Sequence, residues 1–208
     1  MGLFYEKCRS KEINLLLASK SPRRIEMLSS HGYDPVIITA DVEENVPMED
    51  GMTERVMYLA LKKAQGAEAA LSHSDIDLSK PAIIIAADTM VYKGEAMGKP
   101  ANKDEGFKML SKLRNTHHYV VTGVAVKVAN RPIGRVFADV TIVHFKDYSD
   151  EELTSYLNTD EAYDKAGGYA IQGFFGKYIE SIEGSYENVV GFPWSKIEEE
   201  LDDLVHFI

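Results

Sequence analysis

Residues 13–24 read Ile-Asn-Leu-Leu-Leu-Ala-Ser-Lys-Ser-Pro-Arg-Arg. An apolar run this short that stops at small polar residues has the pattern of a buried β-strand ending in a tight turn. Pro22 then suits the first turn of a helix, where its missing N–H costs nothing. The helix beyond it has Ile25, Met27 and Leu28 to bury, with Glu26 near its positive end. Such a corner brings free backbone N–H groups together with Ser19, Ser21, Arg23 and Arg24, a set able to grip a polyphosphate. The same residues would equally make an ordinary strand–turn–helix junction with surface arginines, so the corner alone leaves both readings open.

Outward from the corner, strand and helix patterns alternate. A short apolar run at 36–38 precedes the acidic stretch 41–50. Residues 53–71 carry a helical stripe of Val56, Leu59, Ala60, Ala64 and Ala67, with Thr53 as its cap or just inside it. The polar stretch 72–81 reads as a surface loop. Residues 83–87 form a second fully apolar strand, expected to end at Asp88-Thr89. A helix is expected from Asn102 or Lys103 to Leu113. Residues 120–128 and 135–145 read as paired strands around the turn Asn130-Arg131-Pro132. Ser149-Asp150-Glu151-Glu152 opens a short helix by a capping-type signal, and 194–204 is an acidic amphipathic helix. The expected class is α/β with a mixed twisted sheet rather than a simple doubly wound fold.

The chain has 208 residues, enough for one large domain or two small lobes sharing a core. A formal net charge of −10 argues against a general binder of nucleic acid or membrane surface, which needs a basic face. Any anionic ligand must therefore be held by a local cluster of cations. Cys8 is the sole cysteine, which rules out a disulfide framework or a cysteine-based metal site. No apolar stretch approaches the roughly 18 residues of a membrane span, and the first dozen residues lack a secretory apolar core. A cytoplasmic protein is the expectation.

Several segments could carry chemistry. Asp88, at the expected end of an apolar strand, would hold Mg²⁺, polarise a water, or cap the following turn. Gly98-Lys99-Pro100 puts a lysine in a rigid turn resembling a phosphate-contacting loop, without completing a P-loop pattern. Asp41-Val42-Glu43-Glu44, followed by Lys63, offers a metal-ligand carboxylate and a counter-charge, or a plain solvated surface. In Asp164-Lys165-Ala166-Gly167-Gly168-Tyr169-Ala170-Ile171-Gln172-Gly173, paired glycines let backbone approach a ligand, and Gln172 offers a donor and an acceptor together. The residues 184–191 read as a second small-residue turn, mostly structural. The histidines are scattered apart from His117-His118, expected near a loop or strand start, and no histidine metal site is indicated. Ser19 and Ser21 lack a hydrolase elbow.

Taken in order, these segments resemble the Maf family of nucleoside triphosphate pyrophosphatases, a family linked to septum formation. The carrying pieces are Ser19-Lys20-Ser21-Pro22-Arg23-Arg24, Asp41-Val42-Glu43-Glu44, Lys63-Ala64, Ala87-Asp88-Thr89, Gly98-Lys99-Pro100, Thr122-Gly123, and the segments 164–173 and 184–191. The resemblance implies a two-lobed α/β fold with a central cleft, similar to inosine triphosphatase-like enzymes. Residues 13–208 would be a single catalytic domain, with 1–12 as an N-terminal extension. It implies hydrolysis of a nucleoside triphosphate to the monophosphate and pyrophosphate, with a divalent cation: Mg²⁺, or Mn²⁺ or Co²⁺ in its place. A homodimer is suggested by the resemblance alone. Carried over, Asp88 resembles the proton acceptor, with Glu44 and Asp88 at the metal. Arg23, Thr89 and Gln172 fall where base specificity is set. Ser19, Lys63, Lys99 and Lys165 fall at substrate positions, and Arg24 supports the helix start or the phosphates.

The dTTP/UTP branch of the family resembles Tyr-x-Ile-Gln-Gly, as here, whereas the 7-methyl-GTP branch carries a glutamate near Gln172. A neutral amide suits the imide edge of thymine or uracil, and a carboxylate suits a cationic methylated guanine. The pyrimidine branch is therefore expected. The rivals are a 7-methyl-GTP or inosine-type purine pyrophosphatase and a non-catalytic nucleotide sensor regulating division.

Overall fold

The structure is a computed structural model that describes residues 2–39, 41–43 and 51–208. Its centre is a mixed, seven-stranded sheet in the order β2-β1-β3-β5-β6-β7, with β4 paired to β3 off that path. The strands are β1 (Asn14–Leu17), β2 (Val36–Ile37), β3 (Ala82–Tyr92), β4 (Ala96–Met97), β5 (His117–Val128), β6 (Gly134–Phe145) and β7 (Ile179–Glu183). The helices are α1 (Leu3–Arg9), α2 (Pro22–Ser30), α3 (Met52–Ala70), α4 (Lys103–Leu113), α5 (Asp150–Leu157), α6 (Tyr186–Val190) and α7 (Trp194–Leu204). β1 pairs in parallel with both β2 and β3, and every other pairing is antiparallel. The expected mixed sheet is therefore observed.

Three long strands, β3, β5 and β6, carry apolar clusters toward both of their ends. At one end Leu15, Leu17, Ile83, Ile85, Val124 and Val126 pack under α1, α2 and α7. The alternate residues Leu16, Ile84, Ala86 and Ala125 face α3, because successive strand side chains point to opposite faces. At the other end Val91, Val120, Val143 and Phe145 pack with α4, α5 and residues 162–178. The clusters at the two ends give the sheet two lobes, with the polar pair Asp88-Thr89 between them.

Local chemistry places the elements as expected in most cases. Pro22 occupies the first turn of α2, Asn102 caps α4 by accepting from the Glu105 N–H at 3.0 Å, and Ser149 and Glu152 form a reciprocal capping box on α5. The buried stripe of α3 is the expected Val56, Leu59, Ala60, Ala64 and Ala67, and Thr53 lies inside the helix, whose cap is Gly51. Gly123 lets α3 lie directly on β5: a Cβ there would meet the Val56 backbone at 2.3 Å. The first helix is part of the body of the protein. Phe4 has no exposed surface, and its N–H donates to Asp202 of α7 at 2.9 Å.

One expectation needs correcting. β3 does not end at Asp88-Thr89 but continues to Tyr92, pairing with β5 all the way, Asp88 opposite Gly123 and Thr89 opposite Thr122. Met90 and Val91 supply a second apolar stretch, and the intervening polar pair is tolerated because it lies between the two cores. Asp88 is thus a mid-strand residue.

Candidate active site

The decisive local feature is a gap in the pairing of β3. Along one edge β1 pairs as far as Ile85, and β4 pairs only from Val91. The six residue steps between them leave roughly 20 Å of strand edge without a neighbouring strand. A cleft of about 940 Å³ opens there. Because Asp88 and Thr89 point to opposite faces of the sheet, an open edge is what lets one cleft be lined by both.

Arg24 organises the corner. Its guanidinium is mostly buried and donates from Nη1 to Ala87 O at 2.8 Å and to Ser19 Oγ at 3.1 Å, from Nη2 to Thr89 Oγ1 at 3.0 Å, and from Nε to Gly191 O at 3.0 Å. The Ala87 carbonyl would otherwise be a bare edge acceptor, so Arg24 stands in for the missing strand. Four of its five N–H donors are committed to the protein itself. Burial lowers its pKa to about 10 against the opposing pull of Asp88, with Arg23 lowering it further. Gly191 is presented by a left-handed turn (φ 98°) at the end of α6, which gives the segment 184–191 a structural purpose.

On the other face Lys63 of α3 donates to Asp88 Oδ1 at 2.7 Å, with about a fifth of each side chain or less exposed. Asp88 Oδ2 has no hydrogen bond among the described residues. Facing them from the second lobe, Gly98-Lys99-Pro100 follows β4, and the segment 164–173 doubles back through Gly167 and Gly168 at φ 70° and 77°. The two loops are tied by Gly167 N–H donating to Gly98 O at 2.9 Å.

Of the residues singled out from the sequence, Ser19, Arg23, Arg24, Lys63, Asp88, Thr89, Lys99, Lys165 and Gln172 all line this cleft. Glu44 lies outside the described residues. Lys165 is partly engaged, donating to Glu161 O at 2.6 Å and to Asp164. Sequence reasoning missed Lys20 as a contact and missed Arg55 altogether. The signal for Arg55 was present: Arg55, Leu59 and Lys63 recur every fourth residue on α3, and all three line the cleft. Among the described residues, seven Lys or Arg side chains line it against three Asp. Of those cations, Lys20, Arg23, Arg55 and Lys99 have no side-chain hydrogen bond or ion pair to the described protein. In a chain of net charge −10, this is a local anion trap.

The family model for Maf-like protein matches residues 14–204. The chain belongs to the Maf family. Among its relatives, a protein of Caldicellulosiruptor bescii named dTTP/UTP pyrophosphatase is 43% identical over 180 residues, covering 86% of this chain and 88% of the relative. One of the same name from Flavobacterium johnsoniae is 38% identical over 201 residues, covering 96% and 99%. A third, from Caldanaerobacter subterraneus, is 41% identical over 186 residues, covering 89% and 86%. Among solved structures, the Staphylococcus aureus Ham1 protein overlays with a TM-score of 0.48 at 16% identity, over 93% of this chain and 98% of that one, a likeness too slight to carry an argument. The matched Maf region takes in every cleft residue named above.

The donor chemistry of the Maf cleft suits a hard divalent cation that arrives chelated to phosphate. Mg²⁺ takes one or two carboxylates and completes its shell with phosphate oxygens and water. Asp88 and Asp41 both line the cleft, while no group of three or more His, Cys, Asp or Glu able to hold an ion by itself occurs among the described residues. No helix of the described residues is long and apolar enough to cross a membrane.

Proposed function

We propose that this chain hydrolyses dTTP and UTP to the nucleoside monophosphate and pyrophosphate. The observation that carries the reading is the joining of one lysine-held carboxylate, Asp88, to a cleft where seven cations converge in an acidic protein. The names of relatives at about 40% identity over most of the chain support the same chemistry. In the reaction, water attacks the α-phosphorus, the bond from that phosphorus to the bridging oxygen breaks, and pyrophosphate leaves.

Asp88 accepts the proton of the attacking water through Oδ2, while the ion pair with Lys63 fixes the carboxylate in one orientation. Lys20, Arg23, Arg55 and Lys99, the cations without side-chain partners among the described residues, bind the triphosphate and stabilise the charge that grows on the equatorial and leaving oxygens. Lys165 adds charge from the second lobe. Arg24 and Ser19 build the corner rather than reach far into it. Gln172 lines the cleft from the second lobe and pairs by its neutral amide with the imide edge of the base. A divalent cation held by Asp88 and Glu44 would neutralise and order the phosphates.

The test is a panel of dTTP, UTP, CTP, 7-methyl-GTP and ITP with Mg²⁺, Mn²⁺ or Co²⁺, reading pyrophosphate and monophosphate release. Fastest turnover of dTTP and UTP is expected. Asp88→Asn should fold normally and lose on the order of a hundredfold or more in kcat. Full activity in that variant, or preference for a purine, would overturn the reading.

A further inference from the structure

The segment that presents Gln172 is irregular backbone, so its position has to be imposed from outside. One of the groups imposing it is His118. The imidazole has no exposed surface and sits on β5 among aromatic rings, 5.0 Å from Phe145 and 5.4 Å from Tyr169 between ring centres. Its Nε2 lies 2.6 Å from the Tyr169 hydroxyl, and its Nδ1 has no hydrogen-bond partner among the described residues. A phenylalanine would fill this apolar place without stranding a nitrogen, so the imidazole is there at a cost in stability. The single hydrogen bond obtained for that cost goes to the residue that begins the Tyr-Ala-Ile-Gln-Gly run.

The run is also held through its backbone: Gly173 N–H donates to Ala170 O at 3.1 Å and Gly176 N–H to Gly173 O at 3.0 Å. Tyr156 Oη donates to Gly168 O at 3.1 Å just before it, and Phe174 N–H donates to Glu161 Oε1 at 3.0 Å just after it. Between those two points Tyr169 is the buried side chain, while Gln172 stays exposed in the cleft. The Tyr169 hydroxyl is thus the one buried side-chain anchor that sets where the turn carrying Gln172 sits.

We propose that His118 is a positioning residue for base recognition: it holds the Tyr169 hydroxyl, and through it the 169–173 backbone that presents Gln172. This inference rests on the pyrimidine nucleotide reading of the site. Burial, with Lys93, His117 and His144 nearby, keeps the imidazole neutral, so the bond does not depend on pH across the neutral range.

The experiment compares the wild-type protein with His118→Phe, Tyr169→Phe, the double variant and His118→Gln, whose amide can reach the same hydroxyl. Removing either partner should raise KM for UTP about tenfold, the worth of one buried hydrogen bond, while kcat stays within about threefold. Discrimination of UTP against CTP should fall in parallel, the double variant should be no worse than either single one, and His118→Gln should recover part of the loss. Amide hydrogen exchange at 169–173 should quicken in both single variants. Folded variants with unchanged exchange there, or with unchanged KM and discrimination, overturn the proposal. If His118→Phe fails to fold, Tyr169→Phe, which deletes one oxygen, decides alone. If the wild-type protein turns over neither UTP nor dTTP, the activity reading fails, and the exchange data still judge whether His118 positions the segment.

Discussion

Replacing Arg24 by Met, which keeps the length of the side chain and removes its donors, tests the claim that this residue completes the sheet edge. Four hydrogen bonds vanish together: to Ala87 O, Gly191 O, Ser19 Oγ and Thr89 Oγ1. They are not equally costly. Ser19 Oγ keeps the Ser21 N–H at 3.2 Å, and Thr89 Oγ1 keeps Thr122 at 3.0 Å. Gly191 O retains the Thr89 hydroxyl at 3.4 Å, and Ala87 O retains no side-chain donor. Bonds from a charged donor contribute about 1.5–3 kcal/mol each, but water can reach a partly exposed site and three of the four acceptors keep a partner. The expected loss is therefore about 3 kcal/mol, or about 6–12 °C in Tm for a chain of this size. Urea unfolding and calorimetry would measure it. Arg24→Lys should fall between the two, since an ammonium has three donors for four acceptors. Arg23→Ala is the control: with no hydrogen bond to lose, it should change stability by less than about 0.5 kcal/mol while raising KM for the nucleotide. A loss below about 1 kcal/mol in Arg24→Met, or an Arg23 variant that loses as much, would refute the division of labour between these adjacent arginines.

Two further perturbations probe the frame around the site. Gly123→Ala places a methyl 2.3 Å from the Val56 backbone and must push α3 off β5, at a cost of about 3 kcal/mol or more. Because Lys63 rides on that helix, activity should fall along with the Tm, and a variant that keeps both would contradict the close contact. His118 gives an acid dependence: burial, with Lys93, His117 and His144, pushes its pKa down to about 3 from 6.5. Between those values the unfolded chain binds a proton that the native one does not, so this contribution is full above pH 6.5 and lost on acidification. From pH 7 to 5 the wild-type protein should lose about 2 kcal/mol more than His118→Phe, and parallel losses in urea titrations would rule this out.

Much of the frame was legible in the chain. The strand at 14–17, Pro22, the stripe of α3 and the capping box at Ser149 follow from periodicity and end chemistry, which act over a few residues. The misplaced end of β3 shows where that reasoning stops. Asp88-Thr89 looks like a strand terminus locally, but β5 offers a partner over the whole length, and pairing overrides the polar interruption. The cleft residues were found from ordered motif matches, not from local physics, because their convergence depends on strand order. Arg24 and His118 show the limit most clearly. Nothing in the sequence says that an arginine caps a bare carbonyl sixty-three positions away, or that an imidazole is buried against Tyr169.

The continuity of β3, β5 and β6 through both lobes has a mechanical consequence. In enzymes whose halves are joined by a flexible linker, the halves swing together around the substrate, and that swing gives a second chance to reject a wrong one. Here both walls stand on one continuous hydrogen-bonded ladder, β3 to β5 to β6, rather than on a linker. A continuous ladder offers no hinge between the lobes, so the shape that meets a nucleotide is the one the walls already have. The turns at 98–100 and 164–173 are the irregular backbone that the second lobe presents to the cleft, so a change of preferred base within this scaffold is a matter of retooling those turns while the triphosphate grip stays as it is.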